Sequence, residues 1–126
     1  MLRGGDEALT REVIGSAIEV HRALGPGLLE SAYEACLCHE LLLREIPFER
    51  QVALPVIYKG RRVDCAYRLD LVVDGRLIVE LKAVSDITDV HMAQILSYLK
   101  LSGHHTALLI NFNVPLLKQG VRRILH

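Results

Sequence analysis

The change of hydrophobic period near residue 47 is the feature that most constrains the fold of this chain. Up to Arg44, apolar residues recur every three or four positions, as on one face of a helix. After Ile46-Pro47 they alternate with polar residues, as in a half-buried strand. The helical period returns from Val90 to Leu101, before a last apolar run. We therefore expect helices combined with a sheet.

Turn residues divide these segments into elements. Thr10 can cap the first helix, the Gly25-Pro26-Gly27 sequence ends it, and Asp74-Gly75 is a hairpin signal. The expected elements are helices at about 10–24 and 30–44, strands at 51–58, 63–73 and 76–82, a helix at about 90–101, and a strand at 106–112. Residues 121–125 fit either one more short strand or a helical turn. This order, α-α-β-β-β-α-β, predicts one α/β domain with helices packed on a mixed sheet.

Composition excludes several classes of protein. The chain has 126 residues, of which 51% are apolar, so it can form one core without disulfides. Its 15 basic and 15 acidic residues give zero net charge, which argues against coating nucleic acid by bulk charge but allows a local basic patch. No apolar run reaches the ~20 residues of a membrane helix, and the start of the sequence lacks the apolar stretch of a signal peptide. We expect a cytoplasmic protein that does not enter membranes.

A carboxylate and an amine lie together on the third expected strand. Glu80 and Lys82 are two residues apart, so both side chains leave the strand on the same side. Such a carboxylate can hold a hard cation, and the amine can orient or deprotonate a water bound to that cation. The alternative interpretation is an exposed face with solubilising charges. The apolar neighbours 77–79 favour a functional pair, because burying charges without function destabilises a protein.

The position of Asp70 depends on the turn between the second and third strands. A two-residue Asp74-Gly75 turn would place Asp70 opposite Val79, facing away from Glu80. A three-residue loop, with Gly75 in the left-handed conformation, would bring Asp70 and Glu80 to one face, diagonal to each other. A metal site at these residues therefore requires the odd-length loop or an equivalent bulge.

Two polar residues of the third helix could reach the same place. Gln94 and Tyr98 are four residues apart and share one face, with His91 on the same side. The alternative is that Gln94 lies on the surface and Tyr98 at the edge of the core, and the pattern fits both equally well.

The sequence resembles a known family at these residues. Residues 27–33, Gly-Leu-Leu-Glu-Ser-Ala-Tyr, match the signature of the GxxExxY proteins. The sequence is similar to that family along nearly the whole chain, including Glu80-Leu81-Lys82. That family is grouped with the PD-(D/E)XK nuclease superfamily, which implies a restriction-endonuclease-like core of order α-β-β-β-α-β. The Gln-x-x-x-Tyr of the third helix resembles an element of the RecB-like exonuclease branch. One departure is Leu69, which stands before Asp70 where the superfamily name has proline.

The resemblance also implies roles for individual residues. It implies a Mg²⁺ or Mn²⁺ site with four ligands: Glu30, Asp70, Glu80 and the carbonyl of Leu81. Lys82 would position the attacking water or stabilise charge on the phosphate. Gln94 and Tyr98 would steady the site or the substrate.

Two functions remain in competition. The first is a metal-dependent phosphodiesterase acting on nucleic acid, DNA or RNA, in which Arg68 binds a phosphate next to Asp70 and the basic cluster of Lys59, Arg61 and Arg62 guides the backbone. The alternative interpretation of that cluster is a solvated turn. The second is a catalytically idle nuclease-fold module that binds nucleic acid or a protein partner, which zero net charge and only six aromatic residues favour. A domain this small has little surface for gripping a duplex, so a homodimer or a recruiting protein partner fits either function.

Overall fold

The helices and strands follow the order expected from the hydrophobic periods. The computed structural model describes residues 4–126. Its elements are α1 (Gly4–Leu24), α2 (Glu30–Leu43), β1 (Phe48–Tyr58), β2 (Arg61–Val73), β3 (Leu77–Lys82), α3 (Asp89–Ser102), β4 (Thr106–Asn111) and β5 (Val121–Leu125). The segment 121–125, for which two interpretations were open, is a strand preceded by a short 3-10 turn.

The strands form one five-stranded sheet with the order β1-β2-β3-β4-β5. Neighbouring strands are antiparallel except for β3 and β4, which are parallel and are connected through α3. The mixed sheet confirms the expected fold class, and its arrangement is that of a restriction-endonuclease-like core. No helix among residues 4–126 is long and apolar enough to cross a membrane.

Helices cover both faces of the sheet. On β3, Leu77, Val79 and Leu81 pack in one apolar core with α1 and α2. Ile78 packs on the opposite face in a second core with α3. Because side chains alternate along a strand, Glu80 and Lys82 leave β3 on the face that α3 covers.

The first helix extends further toward the N-terminus than expected, and Thr10 is not its cap. Thr10 lies inside α1, where it is buried, and its hydroxyl has no hydrogen-bond partner among the described residues. The preceding turn is held by Asp6, which is buried and accepts hydrogen bonds from Arg76 Nη1 (3.3 Å) and Thr106 Oγ1 (3.2 Å). These contacts with the β2–β3 loop and β4 are tertiary, so a capping pattern could not indicate them.

The tyrosine of the GxxExxY signature has a structural role. The Tyr33 hydroxyl donates to the carbonyl of Gly25 (2.6 Å) and accepts from the amide of Leu28 (3.1 Å). Its ring is buried and stacks on Phe112 with 4.4 Å between ring centroids. Tyr33 therefore fixes the α1–α2 turn, in which Gly27 has φ 101°, against the sheet.

Replacing Tyr33 by phenylalanine should destabilise the protein without removing the ring from the core. We expect Tyr33→Phe to lower the free energy of unfolding by about 1–3 kcal/mol, because the Gly25 carbonyl and the Leu28 amide lose their shared partner. Urea unfolding of the variant and of a Tyr58→Phe control, whose ring is exposed, measures the effect. Equal losses in the two variants would contradict this role.

Candidate active site

The loop between β2 and β3 has the odd length that the metal-site hypothesis requires. Val73 pairs with Leu77, which leaves three residues in the loop, and Gly75 has φ 66°. The Leu71–Val79 pair, continued by one residue, places Asp70 directly opposite Glu80 rather than diagonal to it. This register brings the two acids to the same level along β2 and β3.

The two strands separate at this pair. The β2–β3 ladder ends at Leu71–Val79, and β3 continues beside β4 only. Where the strands separate, the two carboxylates accept hydrogen bonds from two backbone amides that have no partner in the ladder. The amide of Asp70 donates to Glu80 Oε1 (2.9 Å), and the amide of Leu81 donates to Asp70 Oδ2 (2.9 Å). Side chains thus replace ladder bonds and hold the two acids next to each other.

This arrangement disfavours negative charge on both acids at once. Burial raises the pKa of Glu80 to about 8, and the nearby charge of Asp70 acts in the same direction. Burial also raises the pKa of Asp70. The Lys82 ammonium lowers both pKa values without outweighing burial. A cation between these carboxylates would compensate the negative charge that burial disfavours.

The acid of α2 that reaches the pair is Glu34. Its side chain is 12% exposed, and its charge contributes to the raised pKa of Asp70. Glu30, the predicted ligand, is the first residue of α2 and is exposed. The two glutamates are one helical turn apart, and this spacing was the available signal for Glu34. A ligand role for Glu30 stays a prediction.

Gln51 of β1 connects these acids and was not singled out from the sequence. Its side-chain amide donates to Glu34 Oε1 (2.9 Å) and to Asp70 Oδ1 (3.4 Å). It lies within a strand yet has φ 50°, a left-handed conformation that destabilises a residue with a side chain. Gln51 and Asp70 meet only through the β1–β2 register, so no local pattern could identify this contact.

The third helix contributes Tyr98. This side chain is buried, and its pKa is raised by burial and then by the charges of Glu80, Tyr67 and Asp70, which places its hydroxyl near the acids. Gln94 lies one turn earlier on α3 and is exposed. His91 caps α3, since its Nδ1 accepts from the Thr88 amide (3.0 Å).

The predicted substrate-binding arginines lie at two different distances from the acids. Arg68 is exposed two residues before Asp70, and its guanidinium donates to the carbonyl of Tyr67 (3.1 Å). Arg61 and Arg62 are exposed at the far end of β2, beside the β1–β2 turn. Of these three arginines, only Arg68 is therefore close enough to Asp70 along β2 to contact the same phosphate.

The donor set suits Mg²⁺ or Mn²⁺ better than a metal that needs a complete protein cage. Among the described residues, no group of three His, Cys, Asp or Glu side chains is placed to hold a metal. Mg²⁺ is usually bound by one or two carboxylates, with waters and substrate phosphates completing the octahedron. Asp70 and Glu80 meet that requirement. The amide of Leu81 contacts Asp70, and the ligand role of its carbonyl stays a prediction.

The raised pKa values predict how stability depends on pH when no metal is present. The Glu80 carboxyl has a pKa of about 8 in the folded protein and near 4.5 in the unfolded chain. Between these values the folded state binds more protons, so the free energy of unfolding should fall as pH rises through this window. We expect a loss of at least about 1 kcal/mol between pH 5 and 9, the equivalent of less than one pKa unit.

Urea unfolding in EDTA across this pH range measures the loss. Glu80→Gln should reduce this loss of stability. The side-chain amide oxygen of the glutamine still accepts from the backbone amide of Asp70, but the side chain does not titrate. Glu49→Gln, at an exposed position, should leave it unchanged. A pH dependence that is the same in wild type and Glu80→Gln would contradict the assignment.

One comparison with known proteins identifies a family. The family model for the PD-(D/E)XK nuclease superfamily matches residues 7–124. No curated protein and no solved structure matches the chain. The match covers both carboxylates, Lys82 and the elements that hold them, and the narrower resemblance to GxxExxY proteins stays a prediction. Since the family model spans nearly the whole sequence, the chain belongs to the PD-(D/E)XK nuclease superfamily.

Proposed function

We propose that this protein is a Mg²⁺- or Mn²⁺-dependent nuclease that hydrolyses phosphodiester bonds. The observation that carries the proposal is the convergence of Asp70 and Glu80, with Lys82 close by, where β2 and β3 separate. A bound divalent cation would polarise the phosphate and make a water more acidic. A homodimer or a recruiting partner would extend the surface available to nucleic acid.

The residues of the chain have distinct roles in this proposal. Asp70 and Glu80 hold the cation together with the Leu81 carbonyl, and Glu34 adds negative charge from α2. Lys82 orients the attacking water or stabilises charge that develops on the phosphate. Arg68 binds a neighbouring phosphate. Tyr98 of α3 positions the side chain of Glu80, and Gln94 contacts the substrate from the exposed face of the same helix.

Lys82→Ala separates catalysis from metal binding. We expect this variant to keep the fold and most of its Mn²⁺ affinity, because the two carboxylates remain. Cleavage of nucleic acid should fall by about 10²-fold or more, the usual loss for a missing acid–base or electrostatic group. The measurement is the initial rate on single- and double-stranded DNA and RNA at several Mg²⁺ and Mn²⁺ concentrations. Wild-type protein that leaves all four substrates intact would exclude the nuclease.

A paired substitution identifies the carboxylate of α2 that serves the metal. We expect Glu34→Gln to weaken Mn²⁺ binding by about tenfold, equivalent to about 1.4 kcal/mol, because Glu34 lies beside Asp70. Glu30→Gln, one turn away and exposed, should bind Mn²⁺ as wild type does. Isothermal titration calorimetry measures both, with Asp70→Asn as the reference for loss of a ligand. The reverse ranking would assign the ligand role to Glu30.

A catalytically idle module is the second candidate function. The zero net charge of the chain favours it. Such a module would bind nucleic acid or a protein partner with the same affinity in EDTA and in Mg²⁺, and it would yield no metal-dependent product. Metal titration of binding and cleavage therefore distinguishes the two functions.

A further inference from the structure

The outer part of the β1–β2 hairpin extends beyond the rest of the sheet. We define residues 55–66 as the arm. β3 pairs with β2 only at residues 71–73, and in the described structure the arm pairs within itself, from Val56–Val63 to Tyr58–Arg61. Residues 57–65 are all exposed. At about 3.3 Å per residue, the turn lies about 20 Å beyond the Leu54–Tyr67 pair.

The arm has the opposite charge from the rest of the molecule. Of the chain's 15 basic and 15 acidic residues, the arm holds three basic residues, Lys59, Arg61 and Arg62, and one acidic residue, Asp64. The remainder of the chain is therefore net acidic. The zero net charge of the whole chain does not show this separation of charge. The separation favours binding of a polyanion at the arm.

The tip of the arm holds a cation in an unfavourable backbone conformation. Lys59 and Gly60 form a two-residue turn with φ 50° and 77°. Turns of this kind favour Asn-Gly or Asp-Gly, and a lysine there is strained. The Lys59 ammonium lies 5.4 Å from the centroid of the Tyr58 ring. The exposed cation at the tip is therefore retained at a cost in conformational energy.

We propose that the arm enters the major groove of duplex DNA and thereby selects duplex DNA as the substrate of the carboxylate site. The B-form major groove, about 12 Å wide, admits a two-stranded ribbon. Lys59, Arg61 and Arg62 contact the phosphates, and the exposed apolar side chain of Ile57, on the face of the ribbon opposite to Val63, faces base edges. The deep, narrow major groove of duplex RNA excludes the ribbon, and a single strand offers no groove. This inference rests on the proposed function for its catalytic consequence.

The arm connects to the acids through a continuous strand. Asp70 lies on β2 four residues after the end of the arm, and Gln51, its partner on β1, lies four residues before the start. A duplex held by the arm would therefore have its backbone beside the strands that carry the site.

Binding measured in EDTA tests the arm independently of cleavage. The probe is labelled duplex DNA of two helical turns, about 20 base pairs, compared with its single strand and with duplex RNA of the same sequence. We expect wild-type protein to bind duplex DNA at least about tenfold more tightly than the others. The combined Lys59→Glu, Arg61→Glu and Arg62→Glu variant should lose about 10²-fold or more in affinity, since three phosphate contacts are lost. Arg123→Glu, exposed on β5 at the other edge of the sheet, should bind duplex DNA as wild type does.

A milder variant covers the case in which three charge reversals disturb folding. Lys59→Asn creates the favoured Asn-Gly turn, so its thermal midpoint should equal or exceed that of wild type. Its slope of log affinity against log salt should decrease in magnitude by about 1, for one lost phosphate contact.

The outcomes separate this inference from the nuclease proposal. Arm-dependent binding of duplex DNA in a protein that never cuts would support the arm and exclude the nuclease. A protein that cuts DNA while the folded arm variants bind duplex as wild type does would overturn the arm alone. Equal affinity for duplex RNA or single strands, or absence of duplex binding, would also overturn it.

Discussion

The separation of β2 and β3 after the Leu71–Val79 pair is the constraint on which the candidate site depends. Two strands that part leave backbone amides without ladder partners, and a buried amide without a partner destabilises the fold. Here the carboxylates of Asp70 and Glu80 accept from these amides. The same hydrogen bonds that satisfy the backbone therefore fix two acids side by side.

Stability and function are opposed at this position. The backbone hydrogen bond from Leu81 and the Lys82 charge favour ionised Asp70, but burial outweighs them and raises its pKa. Glu80 is 6% exposed, and burial raises its pKa to about 8. A fold that only needed stability would place apolar residues here, as β3 does at Leu77, Ile78 and Val79. The charged continuation of an apolar strand is consistent with a site whose carboxylates are stabilised by a ligand cation.

The packed core that supports the candidate site and the exposed basic arm lie in different parts of the molecule. On the face of the sheet opposite to α3, the helices α1 and α2 pack against β3 and β4. The stacked rings of Tyr33 and Phe112 lie in this core. Glu34 and Gln51 reach Asp70 from α2 and β1. The arm places basic side chains at a distance from these acids. The phosphates of a bound polyanion can therefore contact the arm without lying beside carboxylates, except where a cation lies between them.

The sequence by itself determined the order and type of the elements, because hydrophobic period and turn residues are local properties. The period change at residue 47, the Gly25-Pro26-Gly27 break and the strand spacing of Glu80 and Lys82 predicted the helices, the mixed sheet and the shared face of this pair. The three-residue loop was only one of two alternatives. Tertiary structure decided that loop, the facing of Asp70 and Glu80, the longer α1, and the use of Glu34 and Gln51 beside Asp70. These features depend on strand register and on contacts between residues far apart in sequence, where packing and burial outweigh local preference.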